Sequence, residues 1–330
     1  MADFTKLDGC RCLGNLRNRL VNRAAPRMTA AILTTLFFAF SAVTGQRVAL
    51  KMGGAWGNLM RLTLATLCLG LLVLRFTPDE MRWPSFRWFF VSGLIGFGLG
   101  DFALFSAYER IGSRLTILLN LCLAPLFAMV LEWLWLGNAV GPRIVTCAVL
   151  ILTGVALAIR PGSRSLARVP LRGNFWVGIF AALIAGFGQG TGAVISRKAE
   201  EVAMSLGASG SGITAAFQRV VAGLLFSMIS VLLIRFCGAR NEWKTWRTPL
   251  DRKVLPWLLG ASIFGPVIGV SCFQWALQCL ESGVALAVVA LTPIAMMPLA
   301  YFTEGDRPTP LSLVGALVAV AGVVVLNLWR

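Results

Sequence analysis

The sequence contains no histidine and few acids, 14 Asp and Glu against 30 Lys and Arg in 330 residues. Without imidazole it lacks the side chain that titrates nearest neutral pH and that most often ligates metals. Histidine-dependent catalysis is excluded, and a zinc or haem site lacks its usual ligand set. Cysteine does not fill the gap. Of the eight cysteines, Cys68, Cys122, Cys147 and Cys272 stand singly in apolar runs, where a thiol packs as a small hydrophobe. The close pair Cys10 and Cys12 has no metal-ligand spacing. No metal and no cofactor are expected. Charge is scarce too: 13% of residues carry it, about half the share found in soluble domains. With 57% hydrophobic residues and a mean hydropathy of +0.78, the chain's solvent is a lipid bilayer.

A net charge of +16 would raise the question of nucleic acid in a soluble protein. Here the basic residues lie between apolar runs, where they face lipid headgroups, and no continuous basic face exists for a nucleic acid. Residues 1–27 form a polar, basic N-terminal tail without the apolar stretch of a secretory signal. Apolar runs follow at 28–48, 56–76, 88–108, 113–136, 141–160, 175–196, 211–236, 254–278, 281–302 and 311–329. A hydrocarbon core about 30 Å thick takes roughly 20 residues of helix. The expected fold is all-α and integral to the membrane, with ten transmembrane helices.

The chain repeats itself. APLFAMVLEWLWLGN at 124–138, followed by Pro142 and Gly154, aligns with TPIAMMPLAYFTEGD at 292–306, followed by Pro310 and Gly322. TGQRVALK ending at Lys51 matches TGAVISRK ending at Lys198, and Arg61 in the second run matches Arg219 in the seventh. The halves are 28–160 and 175–329, and an odd number of spans in each inverts the second copy in the membrane. Two inverted five-helix repeats are an architecture that secondary transporters use to place a site at the bilayer midplane and open it alternately to either side.

Ten helices, the doubled unit, the arginine of span two, the prolines of spans four and nine and the EGDRPTP turn before a Gly-containing last span together resemble the EamA family of the drug/metabolite transporter superfamily. The resemblance covers nearly all of 28–329. It departs at Asn138, which stands where the second copy has Asp306. It implies export or exchange of a small-molecule substrate, an amino acid, another metabolite or a drug, across the cell (inner) membrane with both termini cytoplasmic. The loop Lys and Arg content does not itself decide orientation, and monomer and homodimer both stay open. The competing classes are a membrane enzyme, for which no acid or histidine cluster is seen, and a structural scaffold, for which an internal repeat has no purpose.

The candidate substrate-binding or coupling residues are Arg61, Asp101, Asn120, Gln189, Arg219, Gln274 and Thr292. A cation within a span costs several kcal/mol unless it is paired or snorkels, so Arg61 and Arg219 either reach the headgroups or face a cavity and grip an anionic group. Asp101, in GFGLGDFALF, has no acidic counterpart in span eight, and its partner is Arg61 or a coupling proton. Pro125 and Pro293 are expected to kink spans four and nine and free a carbonyl in each, with Thr116 and Asn120 sharing a face of span four that points at the same region as Thr292. Gln189 and Gln274, with Ser41, Thr44 and Gln46, bond substrate or a neighbouring helix. The glycines at 186, 188, 190 and 192 have no strand and acidic partner around them, as a nucleotide loop would. Gly96 with Gly100 and Gly188 with Gly192 are read as close helix packing. Glu132 is placed at the interface, and Trp243 and Trp246 on an amphipathic surface segment.

Overall fold

The computed structural model describes residues 7–80, 83–136, 142–159, 173–206, 211–236, 252–280, 282–304 and 309–328. Every regular element among them is helical, as lipid demands, because a helix satisfies its own backbone hydrogen bonds. Helix α1 runs over Leu7–Met52 and continues back from its apolar part into the basic tail. Gly53, at φ 84, turns the chain into α2, Gly54–Phe76. Helix α3, Trp83–Gly93, passes through a π-helical turn at Leu94–Gly100 into α4, Asp101–Leu136. Then come α5, Pro142–Ile159, α6, Phe175–Ser205, and α7, Gly212–Phe236. Helix α8, Leu255–Ser262, meets α9, Ile268–Cys279, through a second π-helical turn at Ile263–Val267. The chain ends in α10, Ser282–Val289, α11, Thr292–Glu304, and α12, Pro310–Leu328.

Among the described residues, six helical stretches are long and apolar enough to cross a membrane: Thr29–Met52, Gly54–Phe76, Pro84–Trp135, Phe175–Ser205, Gly212–Phe236 and Leu255–Gln278. The third is 52 residues long. At about 1.5 Å per residue it is more than twice as long as a bilayer core about 30 Å thick. Gly112 divides it, with φ 81 and ψ 167, a conformation outside the helical region. Pro125 lies inside α4. Pro293 does not lie in a helix interior. The chain breaks at 290–291, and Pro293 falls in the first turn of α11, where a missing N–H has no helical partner to lose. The prolines found within helical turns of the second half are instead Pro298 in α11 and Pro266 in the second π-helical turn.

The packing is inside out relative to a soluble protein. Leu67, Leu71 and Leu74 of α2 are exposed at helical spacing, while Asn58, Arg61, Leu62 and Leu69 of the same helix are buried. Since lipid gives helices no hydrophobic reason to associate, close backbone approach and interhelical hydrogen bonds must hold them. Both are present. A β-carbon on Gly188 would stand 2.8 Å from Cα of Gly100, and one on Gly192 would stand 3.3 Å from Cα of Gly96. These glycines seat α6 on the first π-helical turn, and the Ser92 hydroxyl donates across the same joint to the Gly192 carbonyl at 2.6 Å. Gly154 meets the α12 backbone at Ala319, Gly322 meets Ile151, and α5 and α12 pack together through them. Helix α6 packs on α3 and α4, α1 on α8, α9 and α11, and α2 on α7.

Candidate functional site

A cavity lies between α1, α2, α4, α6, α7 and the two π-helical turns. Arg61, Asp101, Asn120, Gln189 and Arg219 line it, with Ser41, Phe38, Phe97, Phe105, Tyr108 and Phe273. Its volume is about 60 Å³, room for a few waters at roughly 10–15 Å³ each and too little for a metabolite.

The two arginines reach it symmetrically and end differently. The Arg61 guanidinium lies against Gly265 of the second π-helical turn, where an added β-carbon would stand 3.1 Å from Nη1. Arg219 lies against Gly96 of the first, where the corresponding separation from Nη2 is 2.9 Å. Each guanidinium therefore occupies space that a side chain would otherwise fill. Each also sits over an aromatic ring, Arg61 over Phe105 at 4.8 Å and Arg219 over Phe97 at 5.3 Å. Such a contact contributes about 2 kcal/mol when desolvated.

Arg61 is partnered. Its Nη2 forms an ion pair with Asp101 and also approaches Asn58 Oδ1 at 3.4 Å, while Asn58 donates to Ser227 at 3.1 Å. Arg219 is 2% exposed and makes neither an ion pair nor a hydrogen bond among the described residues; its Nε is buried without an acceptor. Asn120, 5% exposed, has an equally unpartnered Oδ1. A buried cation left unpaired is the costliest arrangement a membrane interior offers.

Gln274 and Thr292 fall outside the cavity lining. Gln274 is fully buried and accepts from the Ser196 hydroxyl at 2.5 Å. Thr292 donates to the Val289 carbonyl at 2.5 Å, capping the break before α11. Thr116 donates to Gly112 at 2.6 Å, so of the three residues expected to point at one region only Asn120 meets the cavity. Thr44 donates back to the Phe40 carbonyl at 2.8 Å. Glu132 is buried, 8% exposed, and takes a hydrogen bond from Ser282. Asn138, Trp243, Trp246 and Asp306 lie outside the described residues. Among the described residues no three His, Cys, Asp or Glu side chains stand together as a metal site. The aromatic lining is not legible in the sequence, because Phe recurs throughout the apolar runs; Phe97 and Phe105 are singled out only by the arginine that lies over each.

A bundle of apolar helices with lipid-facing leucines and a charged, enclosed cavity defines a multi-pass integral membrane protein built around an internal polar site. The chain belongs to the EamA-like transporter family, matched twice, over 26–160 and 176–328, within the drug/metabolite transporter superfamily. It is a membrane transporter of small molecules. No curated protein matches it. Among solved structures 28 chains match; one, titled only as the crystal structure of a protein, superposes with a TM-score of 0.61 at 17% identity, covering 92% of this chain and 97% of its own. That similarity shows the fold.

Proposed function

We propose that the chain is a secondary transporter that moves a small metabolite bearing an anionic group, an organic acid, by alternating access in export or exchange. The observation that carries this reading is Arg219, a buried cation lining the cavity that makes neither an ion pair nor a hydrogen bond among the described residues. Its guanidinium offers a carboxylate two parallel hydrogen bonds, Asn120 Oδ1 offers an acceptor to a neighbouring O–H or N–H, and the aromatic rings take the apolar remainder. The small cavity supports alternating access, since cargo requires the helices around it to part. Asp101 gives a coupling proton a place to act, by releasing Arg61 when it is protonated.

Ten spans in two inverted five-helix repeats, 28–160 and 175–329, remain the proposed architecture, and several features support it. The π-helical turns fall in corresponding spans, and each arginine lodges against a glycine in the other half's turn. The helix pairings exchange between halves: α3 and α4 pack on α6 as α8, α9 and α11 pack on α1. The test is counterflow in proteoliposomes with a labelled panel of organic acids. Uptake above protein-free vesicles is expected, with a loss of tenfold or more in Arg219→Ala at equal reconstituted protein; undiminished uptake in that variant would exclude this assignment.

A further inference from the structure

The charged groups lining the cavity, among the described residues, are Arg61, Arg219 and Asp101. Asp101 is bound to Arg61, so one guanidinium is balanced and the other is not. We infer that Asp101 is a charge-setting residue, fixing the empty site at one uncompensated positive charge and thereby selecting organic monoanions over dianions and over net-neutral zwitterions. This rests on the reading of Arg219 as the anion-binding group and goes beyond it, from the presence of an anion to its charge number.

The physical case is one of neutralisation in a confined, poorly hydrated space. A monoanion on Arg219 leaves the loaded cavity with two cations and two anions, each buried charge facing a partner. A dianion brings a second carboxylate, and the remaining guanidinium is already held by Asp101. That carboxylate must either displace Asp101 from Arg61 or stay unpaired, and both leave a buried anion uncompensated. A zwitterion adds an ammonium to a cavity whose acid is occupied, so its own charge has no counterpart. The geometry makes the two arginines unequal for this purpose. They are equivalent in their approach, each against a glycine and over a ring, and only the acid on the first-half side distinguishes them. Span eight supplies no second acid, since Val270 lines the cavity there.

The test uses the full chain in proteoliposomes at neutral pH with three probes that each carry one phenyl ring: phenyllactate as monoanion, phenylmalonate as dianion and phenylalanine as zwitterion. Wild-type protein is expected to prefer phenyllactate to each of the others by about tenfold or more, equivalent to about 1.4 kcal/mol. Asp101→Asn frees the second guanidinium, and the preference should invert toward phenylmalonate. The double variant Arg61→Gln with Asp101→Asn removes the pair while keeping one net cation, and it should retain the wild-type preference. Because it leaves no buried charge newly stranded beyond Arg219, it also serves if the single variant does not fold. Equal uptake of phenyllactate and phenylmalonate by wild type, better uptake of phenylalanine, or a double variant that loses the preference would overturn the charge assignment while leaving anion transport standing. Failure of wild type to take up any of the three would bring down the anion-binding reading and this inference together.

Discussion

At the scale of single residues the two arginines make unequal demands on stability. Arg61 and Asp101 form a buried pair, and removing one partner strands the other, at a cost of about 3–5 kcal/mol. Arg61→Gln should therefore lower the thermal unfolding temperature in detergent. Arg219 makes neither an ion pair nor a hydrogen bond among the described residues, so relief of an unpaired buried charge is set against loss of its contact with Phe97, and Arg219→Gln should lower that temperature by less than Arg61→Gln while transport is lost. An equal fall in both variants would mean that Arg219 has a structural partner. Charges were the most legible part of the site, since a cation or an acid within an apolar run must be paired, must snorkel or must serve a ligand. Uncharged polar residues were not. Gln274 and Thr292 look as suited to substrate as Asn120 does, but a hydroxyl in a membrane helix can be satisfied by a nearby carbonyl, as Thr292 is by Val289, and an amide can be turned toward a neighbouring helix, as the Gln274 Oε1 is toward Ser196.

Among the elements, breaks and close approaches position the site. Gly188 lets α6 approach the first π-helical turn so closely that Gly188→Ala would set a methyl 2.8 Å from both Gly100 Cα and the Ile95 carbonyl oxygen. Backbone cannot rotate away as a side chain can. The substitution is expected to cost about 1–3 kcal/mol as an overpacked contact, read by thermal unfolding. It should also lower transport, because the same turn carries Gly96 and the Arg219 guanidinium beside it. Gly112→Ala is expected to cost about 1–3 kcal/mol for placing an L side chain in a glycine-only region of positive φ, and the same assay checks it. That the fold is helical, and where the long apolar helices lie, was legible from the apolar runs. Their interruptions were less so. The gap between the runs 88–108 and 113–136 does contain Gly112, but Pro125, Pro266, Pro293 and Pro298 look alike in sequence, and the structure puts Pro266 in a π-helical turn and Pro293 in a first helical turn. A proline marks where a backbone bond is absent, and tertiary packing decides whether the chain bends, bulges or restarts there.

The molecule as a whole is proposed to consist of two halves facing opposite ways, which fixes where equivalent ends emerge. In a background without other reactive thiols, Asn138→Cys and Asp306→Cys should label from opposite faces of the membrane in intact cells, whereas labelling from the same face would show a parallel repeat. Cys10 and Cys237 should likewise label from opposite faces, with Cys10 on the cytoplasmic side. The uncompensated guanidinium at the centre of such a molecule has an electrical consequence. An empty carrier that reorients around Arg219 moves up to one elementary charge through the membrane field, worth about 2.3 kcal/mol per 100 mV, or roughly 50-fold in the ratio of the two orientations. In a cell that is negative inside, the voltage draws the vacant site toward the cytoplasm, where it meets cytoplasmic cargo, and a carrier neutralised by a monoanion swings outward without opposing the field. Voltage alone would then make this transporter an exporter, with net efflux steepening as the membrane hyperpolarises and one-for-one exchange producing no current.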